Sequence, residues 1–220
     1  MPKVDYFRQK GLLNPVDFVE EVHIMGAGAT GSFLTLILAK MGIIQLNVYD
    51  FDKVENHNLP NQAYGLSHIG MPKLAALQNV VSDQTGIDII AHDGVINGKI
   101  PVQGIVCNCF DSMAARRHVW ESVKYNILTK MYIESRMGIR HGYIFALDPS
   151  NPSHIDKYEA TLYADDKAKE SACNERAISP TVTLLSSIMA NKFVKFARDE
   201  KYKNRLVIST DFLRISANDF

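Results

Sequence analysis

Cysteine is scarce in this 220-residue chain, which has three, Cys107, Cys109 and Cys173, and no CxxC pair. Three thiols cannot all pair with one another, and no secretory leader opens the chain, so a reducing compartment, the cytoplasm, is expected. An excess of either charge is also lacking: Lys and Arg number 24, Asp and Glu 24. Nothing in that balance draws the chain to nucleic acid or to a lipid surface, although a local basic patch could still hold a tRNA. No apolar run reaches the roughly 18 residues of a membrane span; the longest, Phe33 to Met41, is broken by Lys40. Repeats and low-complexity tracts are absent. Hydrophobic residues make up 46% of the chain, enough for one globular domain with a sizeable core.

The informative stretch is Val22 to Gln62. An apolar run, Glu21 to Met25, meets the turn Gly26-Ala27-Gly28-Ala29-Thr30-Gly31, which opens an apolar helix over Thr30 to Lys40. A second strand, Gln45 to Tyr49, runs into Asp50-Phe51-Asp52. Glycines in such a turn admit a phosphate to the backbone N–H groups, and the helix dipole favours its charge. An acidic residue just after the second strand can hold a ribose hydroxyl. Alone, this turn favours a nicotinamide or flavin enzyme over an ATP enzyme. Beyond it the pattern predicts helices over Pro72 to Ser82, Asp111 to Lys124 and Ser179 to about Arg198. Strands are predicted over Ile87 to Ala91, Gly104 to Phe110, Met131 to Glu134 and His141 to Leu147, with a late edge strand over Arg205 to Ser209. Phe51 to Gly70 is long, polar and without apolar period, which marks a functional loop or a short helical turn. The expected fold is α/β: a Rossmann-like, doubly wound, mainly parallel sheet with an antiparallel C-terminal extension. One domain is expected over 1–220, with an N-terminal arm over 1–20 and a polar crossover loop or flap over 148–178.

A set of short motifs is added to the glycine turn. Asp50-Phe-Asp52-x-Val54-Glu55-x-x-Asn58-Leu59-x-x-Gln62 resembles the signature of the ThiF/MoeB/HesA family of adenylating enzymes, the bacterial relatives of ubiquitin-activating enzymes. Tyr6-Phe-Arg8-Gln9, Gly70-Met-Pro72-Lys73, Cys109-Phe-Asp111-Ser-x-x-x-Arg116, and Cys173 with Pro180 and Ala190-Asn-Lys192 are similar to further elements of that family, in the family's order. The resemblance implies adenylation of a carboxylate by ATP, with release of pyrophosphate. The carboxylate would be the C-terminus of a small ubiquitin-like or sulfur-carrier protein, or of a peptide. It further implies that Gly26, Gly28 and Gly31 cradle phosphate and that Asp50 holds the ribose. Asp52, Asn58, Gln62 and Lys73 would line the nucleotide, Asn58 and Lys73 on its phosphates, and Asp111 would bind Mg²⁺. Arg8 would reach the site of a neighbouring subunit, hence a homodimer. Cys173 would be a candidate for a thioester or persulfide.

The chain departs from the family in two places. Where the family reads Asn-Leu-x-Arg-Gln, this chain reads Asn58-Leu59-Pro60-Asn61-Gln62, so an arginine beside the phosphates is replaced by a neutral amide. Arg8 could suffice in its place, Lys53 could move in, or turnover could be impaired, leaving a nucleotide-binding interaction module. The family's paired CxxC motifs are missing as well, so no structural zinc is expected. Ordinary readings accompany the rest. Asp111 could merely cap a helix, and Arg116 and Arg117 could form a solvated face. Cys107 and Cys109 read as small core residues on one side of a strand. His23 reads as a core histidine and the other six as structural or surface residues.

Overall fold

The computed structural model describes residues 4–94, 99–138, 141–163, 179–209 and 214–220. Its centre is a sheet of eight strands in the order β3-β2-β1-β4-β5-β6-β7-β8. These are β1 (Val22–Met25), β2 (Leu46–Asp50), β3 (Ile90–Asp93), β4 (Gly104–Asn108), β5 (Thr129–Met137), β6 (His141–Leu147), β7 (Arg205–Ser209) and β8 (Arg214–Asn218). The first five are mutually parallel and the last three join antiparallel. β1, β2 and β4 are buried at every position, as suits their mainly apolar sequences in central parallel strands, and they carry His23, Asn47, Asp50 and Asn108 inside with them.

Helices α1 (Ala29–Lys40), α2 (Lys73–Thr85) and α5 (Ser179–Ala197) cover one face, where Leu34, Leu38, Leu77, Val81, Leu185 and Phe193 share a core with Ile24, Val48 and Ile133. Helices α3 (Met113–Val123) and α4 (Pro152–Glu159) cover the other, packing Val119, Trp120, Ile155 and Tyr158 on Val106, Tyr132 and Phe145. Local chemistry sets the ends. Ser112 caps α3 through the Ala115 N–H, and Asn151 with Pro152 starts α4. Gly86, at φ +71°, ends α2 in the left-handed region.

Two elements differ from the sequence reading. The 148–178 segment, expected to be a polar loop, contains α4, whose Ile155 and Tyr158 are buried; the rest of it beyond Tyr163 lies outside the described residues. Arg205–Ser209 is not the sheet's edge, because β8 pairs outside it. The N-terminal arm is folded onto the body. Gln9 donates from Nε2 to the carbonyls of Met41 (2.6 Å) and Leu13 (3.4 Å), Leu13 is buried, and a side chain at Gly42 would strike Pro15 and Tyr6.

Candidate nucleotide site

β1 connects to α1 on one side of the sheet, and β4 connects to α3 on the other. Adjacent parallel strands whose connections leave in opposite directions open a crevice at their carboxyl ends. The turn after β1 forms its floor. Gly26 adopts φ +99°, and a Cβ on it would meet Phe110 and the Cys109 backbone at 3.1–3.4 Å. A Cβ on Gly31 would lie 1.8 Å from the Gly26 carbonyl oxygen, so only glycine lets the helix start this close to the strand. Gly28, at the N-cap of α1, faces open space with nothing within 4 Å. Open space at the N-terminus of a twelve-residue helix, where the first N–H groups point outward, has the polarity that a phosphate meets.

Asp50, at the end of β2, is buried beside the turn. Its Oδ2 accepts the Ala27 N–H at 2.7 Å and its Oδ1 accepts the Asp52 N–H at 2.8 Å. Each carboxylate oxygen keeps a free lone pair, so Asp50 can fix the turn and still accept from a hydroxyl. Asp52 follows, and its Oδ2 lies 2.8 Å from the Lys73 Nζ. Lys73 opens α2, where a cation opposes the helix dipole, yet its side chain is buried, at 7% exposure. The Asp52 carboxylate and the bond from the Lys73 N–H to the Asp52 carbonyl (2.8 Å) account for that placement.

The 51–70 loop is stitched to the same turn. Tyr64 donates its hydroxyl to the Ala27 carbonyl (2.6 Å), and Ala63 donates to Ser32 Oγ at 3.0 Å. Burial, with the Asp50 charge nearby, pushes the Tyr64 phenol up, so it remains a donor. Asn58 spends its side-chain oxygen on the Glu55 N–H (2.9 Å), closing a 3-10 turn over Asn56–Asn58. The Gln62 Oε1 is buried and has no partner among the described residues. Asn61 is half-buried, with its N–H on the Asn58 carbonyl (3.2 Å). Lys53 is exposed in the same loop and bridges to Pro72.

The β4–α3 turn forms the other wall. The Cys109 N–H is held by the Met25 carbonyl (2.9 Å), which sets Cys109 and Phe110 against Gly26 and leaves Asp111 exposed. Burial pushes the Cys109 thiol up to about 12 and raises the Cys107 thiol well above its ordinary value, so both are neutral packing groups. Among the described residues no three His, Cys, Asp or Glu side chains group to hold a metal by themselves. Asp111 is an exposed carboxylate on the turn packed against Gly26, a residue type that suits Mg²⁺, which commonly takes one or two carboxylates and completes its shell with phosphate oxygens and water.

The structure therefore brings together Gly26, Gly28, Gly31, Asp50, Asp52, Lys73 and the turn bearing Asp111, with Asn58 and Gln62 in the adjoining loop. It does not bring Arg8 there. Gln9 is bonded at the C-terminal end of α1, about 18 Å along that helix from the glycine turn. Cys173 lies outside the described residues. Arg116 is buried, unlike Arg117, so α3 does not present both to solvent. Sequence reasoning missed Tyr64 and Glu134. For the second, the sequence shows only a charged pair two residues apart, Glu134 and Arg136, in a strand that also carries Lys130 and Ser135, and nothing in it points to their partners.

The model of the ThiF family matches residues 18–219. An adenylyltransferase and sulfurtransferase, MOCS3 of Caenorhabditis briggsae, is 24% identical over 200 residues, covering 86% of this chain and 47% of the relative. Among solved structures, E. coli MccB with AMPCPP and MccA superposes with a TM-score of 0.69 at 19% identity, covering 91% of this chain and 63% of that one. PaaA superposes at 0.72 and 14% identity, covering 97% and 75%. The chain thus spans under half of that curated relative and less than two thirds of MccB.

Proposed function

The chain belongs to the ThiF family, and from that premise we propose that it is an ATP-dependent adenylyltransferase that activates a carboxylate. The observation that carries the reading is the open space over Gly28 at the N-terminus of α1, in a turn bonded to Asp50, which itself holds the Asp52 N–H beside Lys73, and packed against Cys109 and Phe110 next to Asp111. The carboxylate oxygen attacks the α-phosphorus of ATP. The bond from that phosphorus to the bridging oxygen breaks, and pyrophosphate leaves with the electron pair. The acyl-adenylate remains.

Two anions must approach, so charge neutralisation limits the rate. The α1 N–H groups receive phosphate oxygens. Asp50 accepts from the ribose. Lys73, released from or shared with Asp52, meets the charge that builds on pyrophosphate. Asp111 would hold Mg²⁺, which supplies positive charge where Asp50, Asp52 and Asp111 outnumber Lys73. That local deficit of cations supports a further contribution from Arg8. Since Arg8 sits at the far end of α1 in its own subunit, it would act on a partner's site in a homodimer. The substrate class that fits is a C-terminal carboxylate of a small ubiquitin-like or sulfur-carrier protein, or of a peptide. The nematode adenylyltransferase relative and the MccB structure with AMPCPP support the reaction class.

ATP–pyrophosphate exchange, measured with peptides and small proteins ending in Gly-Gly, tests the reading. Exchange above background supports it; ATP binding without exchange for any such acceptor counts against it. Asn61 favours one second reading, a nucleotide-binding module with impaired turnover, because no charged side chain replaces the family's arginine at that position. An Asn61→Arg variant with greatly increased exchange would support this alternative, and ordinary turnover by the wild type would exclude it.

A further inference from the structure

Behind the Asp111 turn lies a fully buried carboxylate. Glu134 of β5 has 0% exposure, and its charge is balanced by two guanidinium groups from different elements. Arg116 of α3 approaches its Oε1 at 3.1 Å, and Arg136, two residues along β5, donates to the same oxygen. Two phenols complete the shell: Tyr132 donates to Oε2 at 2.7 Å, and Tyr158 of α4 donates to it as well. Burial alone would push this carboxyl up, but Arg116, Arg136 and the Tyr158 hydroxyl hold it below the usual carboxylate range, so it stays ionised.

Each partner then ties down another element. Arg116 also donates to the Ser135 carbonyl at 2.7 Å, while its own backbone closes the first turn of α3 on the Ser112 carbonyl (3.1 Å). Asn108 donates to the Tyr132 hydroxyl at 2.9 Å and accepts the Phe110 N–H at 3.3 Å, which fixes the start of the turn holding Asp111. Arg136 reaches the Thr161 carbonyl (2.7 Å) and hydroxyl (3.0 Å) beyond α4. Nothing in core packing asks for a buried ion triad. Such groups cost more to desolvate than they return, and apolar residues of similar volume often stabilise a fold as well or better.

We propose that Glu134 is a positioning residue of the nucleotide site: through Arg116, Tyr132 and Asn108 it fixes the direction in which the Asp111 carboxylate faces the phosphate cradle. The inference rests on the adenylation reading and concerns only how Asp111 is aimed. Partners bonded directly to a metal ligand commonly change metal affinity by about 10–100-fold when removed, and Glu134, which reaches the Asp111 turn only through Tyr132 and Asn108, belongs at the low end of that range.

The experiment is ATP binding to the full chain by calorimetry, with and without Mg²⁺, for wild type, Asp111→Asn and Glu134→Gln. The readout is the factor by which Mg²⁺ tightens ATP binding, with a thermal melt for each variant. Glu134→Gln is expected to lower that factor about tenfold, as Asp111→Asn does, while metal-free ATP binding stays near the wild-type value. A folded Glu134→Gln variant with the wild-type factor overturns the proposal. Should Glu134→Gln lose its cooperative melt, Tyr132→Phe keeps the ring and breaks the link from Glu134 to Asn108. It must then lower the factor in the same direction, and an unchanged factor overturns the proposal equally. Failure of the wild type to bind ATP would instead defeat the adenylation reading itself, so the two failures are distinct.

Discussion

At the scale of single residues, the site depends on what each position cannot tolerate. Gly31 has no room for a methyl group, because the Gly26 carbonyl oxygen would stand 1.8 Å from its Cβ. Gly31→Ala is expected to destabilise the fold by about 1–3 kcal/mol through overpacking and to abolish ATP binding by opening the turn. A thermal melt and calorimetry read both effects, and a variant that binds ATP normally would contradict the close-packed turn. Lys73 offers the complementary case. Its partner Asp52 has a half-exposed side chain, so the pair contributes about 1 kcal/mol or less to stability. On the proposed function its charge meets the phosphates, and Lys73→Ala is then expected to weaken ATP·Mg²⁺ binding about tenfold or more with little change in melting temperature. These residues were legible in the sequence because their constraints are local. A glycine at positive φ, or an acid one step past a strand, can be read from its neighbours in the chain. Glu134 was not, because Arg116, Tyr132, Tyr158 and Asn108 meet it only after α3 and α4 dock on the sheet.

At the scale of elements, two segments link stability to the site. His23 of β1 stacks on Tyr49 of β2, which stacks on His92 of β3; His23 Nδ1 is 3.0 Å from the Tyr49 hydroxyl, and its Nε2 is 3.3 Å from Glu21. Burial lowers both imidazoles from 6.5; for His23, Glu21 opposes that shift and His92 adds to it. The unfolded chain then takes up protons before the folded one. The stability that the neutral rings contribute is complete above pH 6.5 and is lost as pH falls from there through the folded values. Melting temperature is expected to fall between pH 7 and pH 5, less steeply in a His92→Gln variant; equal slopes would contradict the assignment. The arm is the second segment. Gly42, at φ +89°, leaves space for Pro15 and Tyr6, so Gly42→Ala is expected to displace the arm that carries Arg8. Pyrophosphate exchange should fall while ATP binding is retained, and loss of both would mean that the turn supports α1 itself. Strands and long helices with apolar runs were readable, whereas α4 and β8 were not. The first carries a cap in Asn151 and Pro152 but is only eight residues long and buries just Ile155 and Tyr158, inside an otherwise polar stretch, and the second is a polar outer strand.

At the scale of the whole molecule, the doubly wound sheet creates the crevice and its antiparallel extension buries the Glu134 cluster beneath one wall. The position of Arg8 at the far end of α1 makes the assembly testable. Arg8→Ala and Asp111→Asn subunits, each inactive alone, are expected to regain exchange when mixed, because one of the two sites in a mixed dimer is intact. No recovery between variants shown to exchange subunits would place Arg8 outside the reaction. The central claim, however, is that an adenine nucleotide occupies the glycine turn with Mg²⁺ on Asp111. Parallel calorimetric titrations of the wild type with ATP·Mg²⁺ and with NAD test it most directly. Saturable binding of ATP·Mg²⁺ below millimolar concentrations, weakened by Asp111→Asn, is the expected result; binding of NAD with none of ATP would contradict it.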